Sequence, residues 1–209
     1  MGKCVIFGAA GFDSLLIPIE DGDLVIAADG GVRHLEKLNL VPHVTLGDFD
    51  SLGYTPAGAE IFPVEKDDTD TMLAVRRGLA LGYREFLIYG GLDGNRLDHT
   101  VANFQTLAFL RSHGARGYLV GKDYLVTMLC DETAAFGADA TGVVSIFCLG
   151  EPAVVTIRGL KYQLEGGTLT ADFPLGVSNH FTGKSSEISV SGGKILVLWD
   201  RKNNLPTIL

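Results

Sequence analysis

The sequence lacks the features that mark membrane, disulfide-rich and nucleic-acid-binding proteins. No apolar run is long enough to span a bilayer, and the start carries no signal-peptide pattern. Three cysteines, Cys4, Cys130 and Cys148, lie far apart in apolar sequence, which indicates reduced core residues. Lys and Arg total 17 against 25 Asp and Glu, and a net charge of −8 disfavours a nucleic-acid surface. We therefore expect a cytoplasmic protein that binds neither membrane nor nucleic acid.

Several catalytic and metal-binding patterns are also missing. The five histidines do not have the spacing of metal ligands, and there is no nucleophile elbow. Gly183-Lys184-Ser185 resembles the end of a P-loop, but the first glycine of that motif would fall at Ser178 and no helix follows. The composition, 46% hydrophobic and 20% charged, is that of an ordinary globular protein.

The first part of the chain alternates strand-like and helix-like segments up to about residue 122. The strand-like runs are Cys4–Phe7, Leu24–Ala28, His43–Leu46, Glu60–Val64, Phe86–Tyr89 and Gly117–Val120. Helical spacing covers Val32–Leu40, a segment that follows Asp70 and runs through Leu81, and about Thr100–Leu110. This alternation predicts an α/β domain over residues 1–122, with a mostly parallel, doubly wound sheet and helices on both faces.

Residues 123–209 have a different character, because strand-like runs follow one another without a convincing helix. These runs are Tyr124–Cys130, Val143–Leu149, Ala153–Ile157, Gly167–Thr170, Glu187–Val190 and Lys194–Leu198. Regularly spaced strands with turn residues predict a small all-β antiparallel domain, either a sandwich or a barrel. The stretch Ser191-Gly192-Gly193-Lys194 lies between two such runs and predicts a β-hairpin.

Acidic residues follow the predicted strands of the first domain. They fall at Asp29, Asp48 with Asp50, Asp67 with Asp70, and Asp98. In a doubly wound sheet these positions share the carboxyl edge, where ligands bind. Carboxylates crowded there would repel one another unless a cation lay among them, and Mg²⁺ bound to a nucleotide would meet that need. Individually, Asp70 and Asp98 would also suit helix caps, and Asp29 and Asp48 would suit turns.

A phosphate ligand also needs hydrogen-bond donors, and the segment Gly90–His99 offers them between a strand and a helix. Its glycines let backbone N–H groups approach phosphate oxygens, and the helix start adds a favourable dipole. Arg96 would grip phosphate with two N–H groups, or alternatively form a surface ion pair with Asp93 or Asp98. The stretch Gly8-Ala9-Ala10-Gly11 offers a weaker signal of the same kind.

At these residues the sequence resembles the thiamine pyrophosphokinase family. The matching stretches are Ala28–Gly31, Gly47–Ser51, Lys66–Asp70, Gly90-Gly91 with Arg96–His99, and Ser178-Asn179 before Phe181. The resemblance implies a nucleotide-binding catalytic domain over 1–122 and a thiamine-binding β-sandwich over 123–209. It implies Mg²⁺-dependent transfer of the pyrophosphoryl group of ATP to the thiamine hydroxyl, giving thiamine diphosphate and AMP. It further implies a homodimer with thiamine sites between the subunits.

The resemblance also implies roles for individual residues. Metal ligands are expected at Asp48, Asp50 and Asp70. Catalytic residues are expected at Asp67, Asp70, Arg96 and Asp98, with the base left open between Asp67 and Asp98. ATP contacts are expected at Asp29, Gly30, Gly31, Asp48, Asp50, Ser51, Gly91, Arg96 and His99. Thiamine contacts are expected at Asp98, Ser178, Asn179 and Phe181.

Three alternatives remain open from the sequence. Phe181 would fit the core as well as a stacking position, and Ser178-Asn179 would fit a turn. Clustered aspartates with Mg²⁺ also serve nucleotide or phosphoester hydrolases. The third alternative is a thiamine- or nucleotide-binding sensor without turnover.

Overall fold

The computed structural model describes residues 2–50 and 52–209. The chain forms two compact units, Met1–Lys122 and Asp123–Leu209. No helix among the described residues is both long enough and apolar enough to cross a membrane.

The first unit is built on a parallel sheet. Its strands are β1 (Cys4–Phe7), β2 (Leu24–Ala28), β3 (Val44–Gly47), β4 (Glu60–Ile61), β5 (Glu85–Tyr89) and β6 (Arg116–Val120). They lie in the order β6-β5-β1-β2-β3-β4, and every neighbouring pair is parallel. All residues of β1 and β2 are buried, as expected for strands covered on both faces. The predicted parallel sheet is therefore confirmed.

Helices occupy both faces of this sheet. They are α1 (Val32–Leu38), α2 (Asp70–Ala80) and α3 (Leu97–Ser112), and a 3₁₀ turn at Asp29–Gly31 precedes α1. The connection through α1 moves outward from β2 to β3, whereas those through α2 and α3 move back across the sheet to β5 and β6. Because such crossovers are right-handed, the reversal places α1 on the face opposite to α2 and α3. Contacts between α2 and α3 agree with this placement.

Two elements of this unit differ from the sequence expectation by three residues at one end, and the others by no more than two. Strand β4 ends at Ile61 instead of Val64, because it is an exposed edge strand and Pro63 has no N–H group for the ladder. Helix α3 begins at Leu97, three residues before the predicted start at Thr100.

The second unit contains two antiparallel sheets. Its strands are β7 (Tyr124–Cys130), β8 (Thr133–Phe136), β9 (Val143–Cys148), β10 (Ala153–Arg158), β11 (Leu164–Leu169), β12 (Asn179–His180), β13 (Ser186–Ser191), β14 (Lys194–Asp200) and β15 (Thr207–Ile208). One sheet has the order β12-β9-β14-β7 and the other β11-β10-β13-β8-β15. The predicted all-β organisation is confirmed. The short strands β8, β12 and β15 had no clear signal in the sequence.

Aromatic side chains fill the space between the two sheets. Trp199 of β14 is fully buried, and its ring centroid lies 5.6 Å from that of Phe136 on β8. Phe136 also contacts Phe181, with ring centroids 5.1 Å apart. Alternate residues of β10 and β13 are buried, which is the pattern of strands with one face on a core.

The predicted hairpin at Gly192-Gly193 is wrong. Strand β13 pairs with β10 and β8, whereas β14 pairs with β7 and β9, so this turn passes from one sheet to the other. Gly192 has a φ of +72°, and its N–H donates to Asp131 Oδ1 at 2.7 Å. A Gly-Gly turn reverses the chain, but it does not determine which strands pair afterwards.

Candidate active site

Three carboxylates converge at the carboxyl edge of the parallel sheet. Asp29 directly follows β2, and Asp48 directly follows β3, its neighbour in the sheet. Asp29, Asp48 and Asp50 each offer a carboxylate oxygen, and these oxygens lie within 4.8 Å of one another. A set of hard oxygen donors at this spacing suits a divalent cation such as Mg²⁺. The family resemblance predicts Asp29 as an ATP contact and not as a metal ligand.

Backbone turns, not an extended segment, bring Asp48 and Asp50 together. Phe49 between them has a φ of +60° and is only 3% exposed, so its buried ring anchors the turn. Asp29 also has a positive φ, +46°. Gly47 has a φ of +149°, and a side chain there would meet the Asp29 backbone at 3.0 Å. Strain at non-glycine residues is typical of functional sites.

Lys66 joins this group to a fourth carboxylate. Its Nζ lies 2.9 Å from Asp48 Oδ2 and 3.0 Å from Asp70 Oδ1. The hydrogen bond from Lys66 lowers the pKa of Asp48. Burial raises the pKa of Asp70 against the opposing effect of Lys66, and the charges of Asp48 and Asp29 act in the same direction as burial. No role is predicted for Lys66 from the sequence, although it is the one basic residue in the acidic stretch Glu65–Asp70.

The predicted metal ligand Asp70 does not belong to the group of three carboxylates, since its closest charged partner is Lys66. It is not a helix cap either. Thr69 caps α2, and its side chain accepts a hydrogen bond from the Met72 N–H at 3.2 Å. A capping role therefore does not account for Asp70.

Two glycine-containing loops meet beside this edge. The Gly8 N–H donates to Tyr89 O at 2.8 Å, and the Ala10 N–H donates to Gly90 O at 3.0 Å. Gly90 has a φ of +65°, and a side chain there would meet Gly8 O at 2.3 Å. These loops leave the neighbouring strands β1 and β5 in opposite directions, which creates the crevice where doubly wound sheets bind ligands.

Arg96 and Asp98 form an exposed ion pair at the start of α3. Arg96 Nε lies 2.9 Å from Asp98 Oδ1, and Arg96 Nη2 lies 2.5 Å from Asp98 Oδ2. The pair lowers the pKa of Asp98 to about 2. Asp98 lies inside the first turn of α3 and does not cap it. The ion-pair alternative for Arg96 is thus the observed one, while Asp93 accepts a hydrogen bond from the Lys122 N–H at 2.6 Å.

The remaining predicted residues of the first unit do not belong to the group of three carboxylates. Asp67, Arg96, Asp98 and His99 are exposed and outside the group of three. Gly30 and Gly31 are buried in the 3₁₀ turn, and Gly91 is buried below α3, where Asn103 donates to its carbonyl at 2.8 Å. Ser51 lies outside the described residues.

In the second unit the predicted thiamine contacts point mostly inward. Asn179 is 4% exposed; its Oδ1 accepts from the Tyr162 N–H at 2.9 Å, and its Nδ2 donates to Tyr162 O at 2.6 Å. Phe181 is 9% exposed and packs on Phe136. Ser178 is exposed with a φ of +59°. Tyr162, whose backbone is hydrogen-bonded to Asn179, has an accessible aromatic ring and is 58% exposed.

Comparison with known families agrees with both units. Residues 18–119 match the thiamin pyrophosphokinase catalytic domain, and residues 135–195 match the thiamin pyrophosphokinase vitamin B1 binding domain. The chain belongs to the thiamine pyrophosphokinase family. It is therefore an enzyme of the thiamine diphosphokinase class.

Solved structures share the fold of this family member. The thiamine pyrophosphokinase of Bacillus subtilis is 24% identical, with 95% of this chain and 98% of that chain covered at a TM-score of 0.81. The enzyme of Candida albicans is 14% identical, with coverage of 95% and 88% and a TM-score of 0.77. A family protein of Enterococcus faecalis is 22% identical, with coverage of 96% and 99% and a TM-score of 0.78. No curated protein sequence matches the chain significantly.

Proposed function

We propose that the chain transfers the pyrophosphoryl group of ATP to the hydroxyl of thiamine, giving thiamine diphosphate and AMP with Mg²⁺ as cofactor. The observation that carries the proposal is the group of three carboxylates beside the glycine loops, in a chain of the thiamine pyrophosphokinase family. An anionic nucleotide can bind beside these carboxylates only if a cation lies between them.

Asp29, Asp48 and Asp50 are the residues that would hold Mg²⁺. Their oxygens are hard donors, and their spacing leaves room for a small cation with water and phosphate ligands. Bound there, Mg²⁺ would neutralise phosphate charge and make the β-phosphorus easier to attack. This assignment replaces Asp70 of the sequence-based set with Asp29, because Lys66 already neutralises Asp70.

Backbone N–H groups and Arg96 would hold the phosphates. The loops Gly8–Gly11 and Gly90–Gly94 form the crevice at the carboxyl edge, and α3 begins beside them. Arg96 would contact phosphate with its remaining N–H groups while its Nε and Nη2 stay paired with Asp98, so that Asp98 orients the guanidinium.

We assign the general base, which would accept the proton of the thiamine hydroxyl, to Asp67 instead of Asp98. A carboxylate with a pKa of about 2 is a weak proton acceptor, because general bases work best with a pKa near the operating pH. Asp67 is exposed and lies just before α2, in the stretch that carries Lys66 and Asp70.

Tyr162 is the aromatic residue that we assign to thiamine in place of Phe181. Thiamine is cationic and aromatic, so it favours an accessible ring face. The Lys161 Nζ lies 5.2 Å from the centroid of the Tyr162 ring, so this face already attracts a cation. The Asn179 side chain would act by holding the backbone N–H and C=O groups of Tyr162. Ser178 would remain available for a polar contact.

We also propose that the protein is a cytoplasmic homodimer with thiamine sites between subunits. Apolar side chains exposed on each unit support an interface, among them Leu97 and Val101 of α3 and Phe173 and Leu175 of the second unit. Light scattering coupled to gel filtration would measure the mass. A monomeric mass of 22.3 kDa at micromolar concentration would contradict the dimer.

The defining experiment is incubation of the protein with ATP, Mg²⁺ and thiamine, followed by chromatography of the products. We expect thiamine diphosphate and AMP in equal amounts. ADP with thiamine monophosphate would contradict the proposal. Nucleotide breakdown without any thiamine product would favour a hydrolase, and binding without any product would favour a sensor.

A further inference from the structure

The ammonium group of Lys66 lies between two carboxylates of the candidate active site. Its Nζ donates hydrogen bonds to Asp48 Oδ2 at 2.9 Å and to Pro63 O at 3.2 Å, and it forms an ion pair with Asp70 Oδ1 at 3.0 Å. The side chain is 13% exposed, and lysine is rarely buried to this degree unless it is paired. Lys66 is therefore a fixed part of the site.

The position of Lys66 relative to the carboxylates suggests what it replaces. Asp48 belongs to the group of three carboxylates and also faces Lys66, which in turn faces Asp70. A carboxylate shared between two neighbouring cation positions is the arrangement of two-metal phosphoryl-transfer sites. Here one of the two positions holds the ammonium group.

We propose that Lys66 occupies the place of a second divalent cation, so that the carboxylates of this chain take one fewer metal ion than they would without it. The inference rests on the metal assignment of the proposed function. Asp29, Asp48, Asp50 and Asp70 carry a formal charge of −4 when ionised, and Lys66 reduces it to −3. Lys66 also keeps Asp48 and Asp70 oriented when no metal is bound, which makes it a positioning residue.

Removing the ammonium group should open this position to a metal ion. In Lys66→Met the carboxylates of Asp48 and Asp70 still face one another, but no cation separates them. Their repulsion would favour a divalent ion, and small side-chain movements would bring their oxygens to the Mg²⁺ distance of about 2.1 Å. Lys66→Arg retains a cation and should not open the position.

The test is a Mn²⁺ titration followed by electron paramagnetic resonance, with nucleotide and thiamine absent. We expect Lys66→Met to bind one more ion than the unaltered protein, and Lys66→Arg to bind the same number. The matched control is Arg77→Met, which removes an ion pair with Glu60 in which both side chains are 43% exposed. It should bind the same number as the unaltered protein. Equal numbers for Lys66→Met and the unaltered protein would overturn the proposal.

A second variant separates the cation position from general damage to the fold. Lys66→Met/Asp70→Asn removes the ammonium group together with one of the two carboxylates that it separates. We expect this variant to bind the same number of Mn²⁺ ions as the unaltered protein. In EDTA it should have a higher melting temperature than Lys66→Met. An extra ion in the double variant, or failure of both variants to fold, would overturn the proposal.

The metal counts and the turnover assay report on different claims. If the unaltered protein forms thiamine diphosphate but binds as many Mn²⁺ ions as Lys66→Met, only the role proposed for Lys66 is overturned. An extra ion in Lys66→Met without any thiamine diphosphate supports the role of Lys66 and overturns the proposed reaction.

Discussion

In the first unit the candidate metal ligands lie at the ends of adjacent parallel strands. In the second unit the candidate thiamine contact, Tyr162, lies in a loop that is held by the side chain of Asn179. Asp29 and Asp48 are brought together by the pairing of β2 with β3. The backbone of Tyr162 makes two hydrogen bonds with the Asn179 side chain, one donated and one accepted. The topology of the sheet thus positions the candidate metal ligands, and a single amide holds the candidate thiamine contact. Variants of the two sites should therefore fail in different ways.

The largest effect is expected from Asp50→Asn. This change removes one charge from the group of three carboxylates, and the loss of an electrostatic contact of this kind lowers kcat by about 10²–10³-fold. Asp50 is exposed, so we expect the melting temperature to stay nearly unchanged. Thiamine diphosphate formation and thermal unfolding measure the two effects. The control is Asp68→Asn, which affects the ion pair with Arg76 and none of the three carboxylates. Normal turnover of Asp50→Asn would show that the metal ligands are wrongly assigned.

The next effect is expected from Tyr162→Ala. Loss of a ring that faces a cationic substrate costs about 1–2 kcal/mol, so the KM for thiamine should rise about 5- to 30-fold while the KM for ATP stays unchanged. Tyr162→Phe should retain most of the affinity. The control, Phe181→Leu, should lower the melting temperature without changing the KM for thiamine, because Phe181 packs on Phe136. The opposite pattern would return the stacking role to Phe181.

A smaller effect on thiamine, together with a loss of stability, is expected from Asn179→Ala. The N–H and C=O groups of Tyr162 lose their partners, which lowers the free energy of unfolding by about 1–3 kcal/mol. If Asn179 acts through Tyr162, the double variant with Tyr162→Ala should have the same KM for thiamine as Tyr162→Ala alone. Additive effects on KM would instead indicate a direct contact between Asn179 and the substrate.

The smallest effect concerns the Arg96–Asp98 pair. The folded-state pKa of Asp98, about 2, lies below its unfolded value, so its contribution to stability is present above about pH 4 and is lost as the pH falls through 2. Carbon NMR titration of Asp98 should show this low midpoint, and Arg96→Gln should move it towards the ordinary carboxyl range. Between pH 5 and 9 no titration of Asp98 is expected. A midpoint near 4 in the unaltered protein would show that the two side chains do not pair in solution.

The same contrast explains which features the sequence could predict. Alternating strands and helices placed Asp29 and Asp48 at one edge, because the carboxyl ends of parallel strands meet there. The pattern could not show that Thr69 caps α2, that Lys66 reaches both Asp48 and Asp70, or that Phe49 turns the backbone. These features depend on side-chain geometry and on single backbone angles, which periodicity does not encode.

In the second unit, composition was enough to predict strands but not their partners. Burial of Phe181 and exposure of Tyr162 both follow from contacts between segments distant in the sequence. The signal that could have indicated Tyr162 is weak, since it is an aromatic residue just outside strand β11 in polar surroundings.

The turn at Gly192-Gly193 has a consequence for when the strands can pair during synthesis of the protein. Strand β7 begins at Tyr124 but pairs with β14, and β8 pairs with β15 at Thr207–Ile208. On the ribosome, every strand of the first unit is synthesised by Val120, so that sheet can form while translation continues. In the second unit, β7 lacks its partner β14, and β8 lacks its partners β13 and β15, until the last strands emerge. Slow synthesis or truncation near the C-terminus would therefore expose the edges of β7 and β8 to aggregation, and would leave the first unit able to fold.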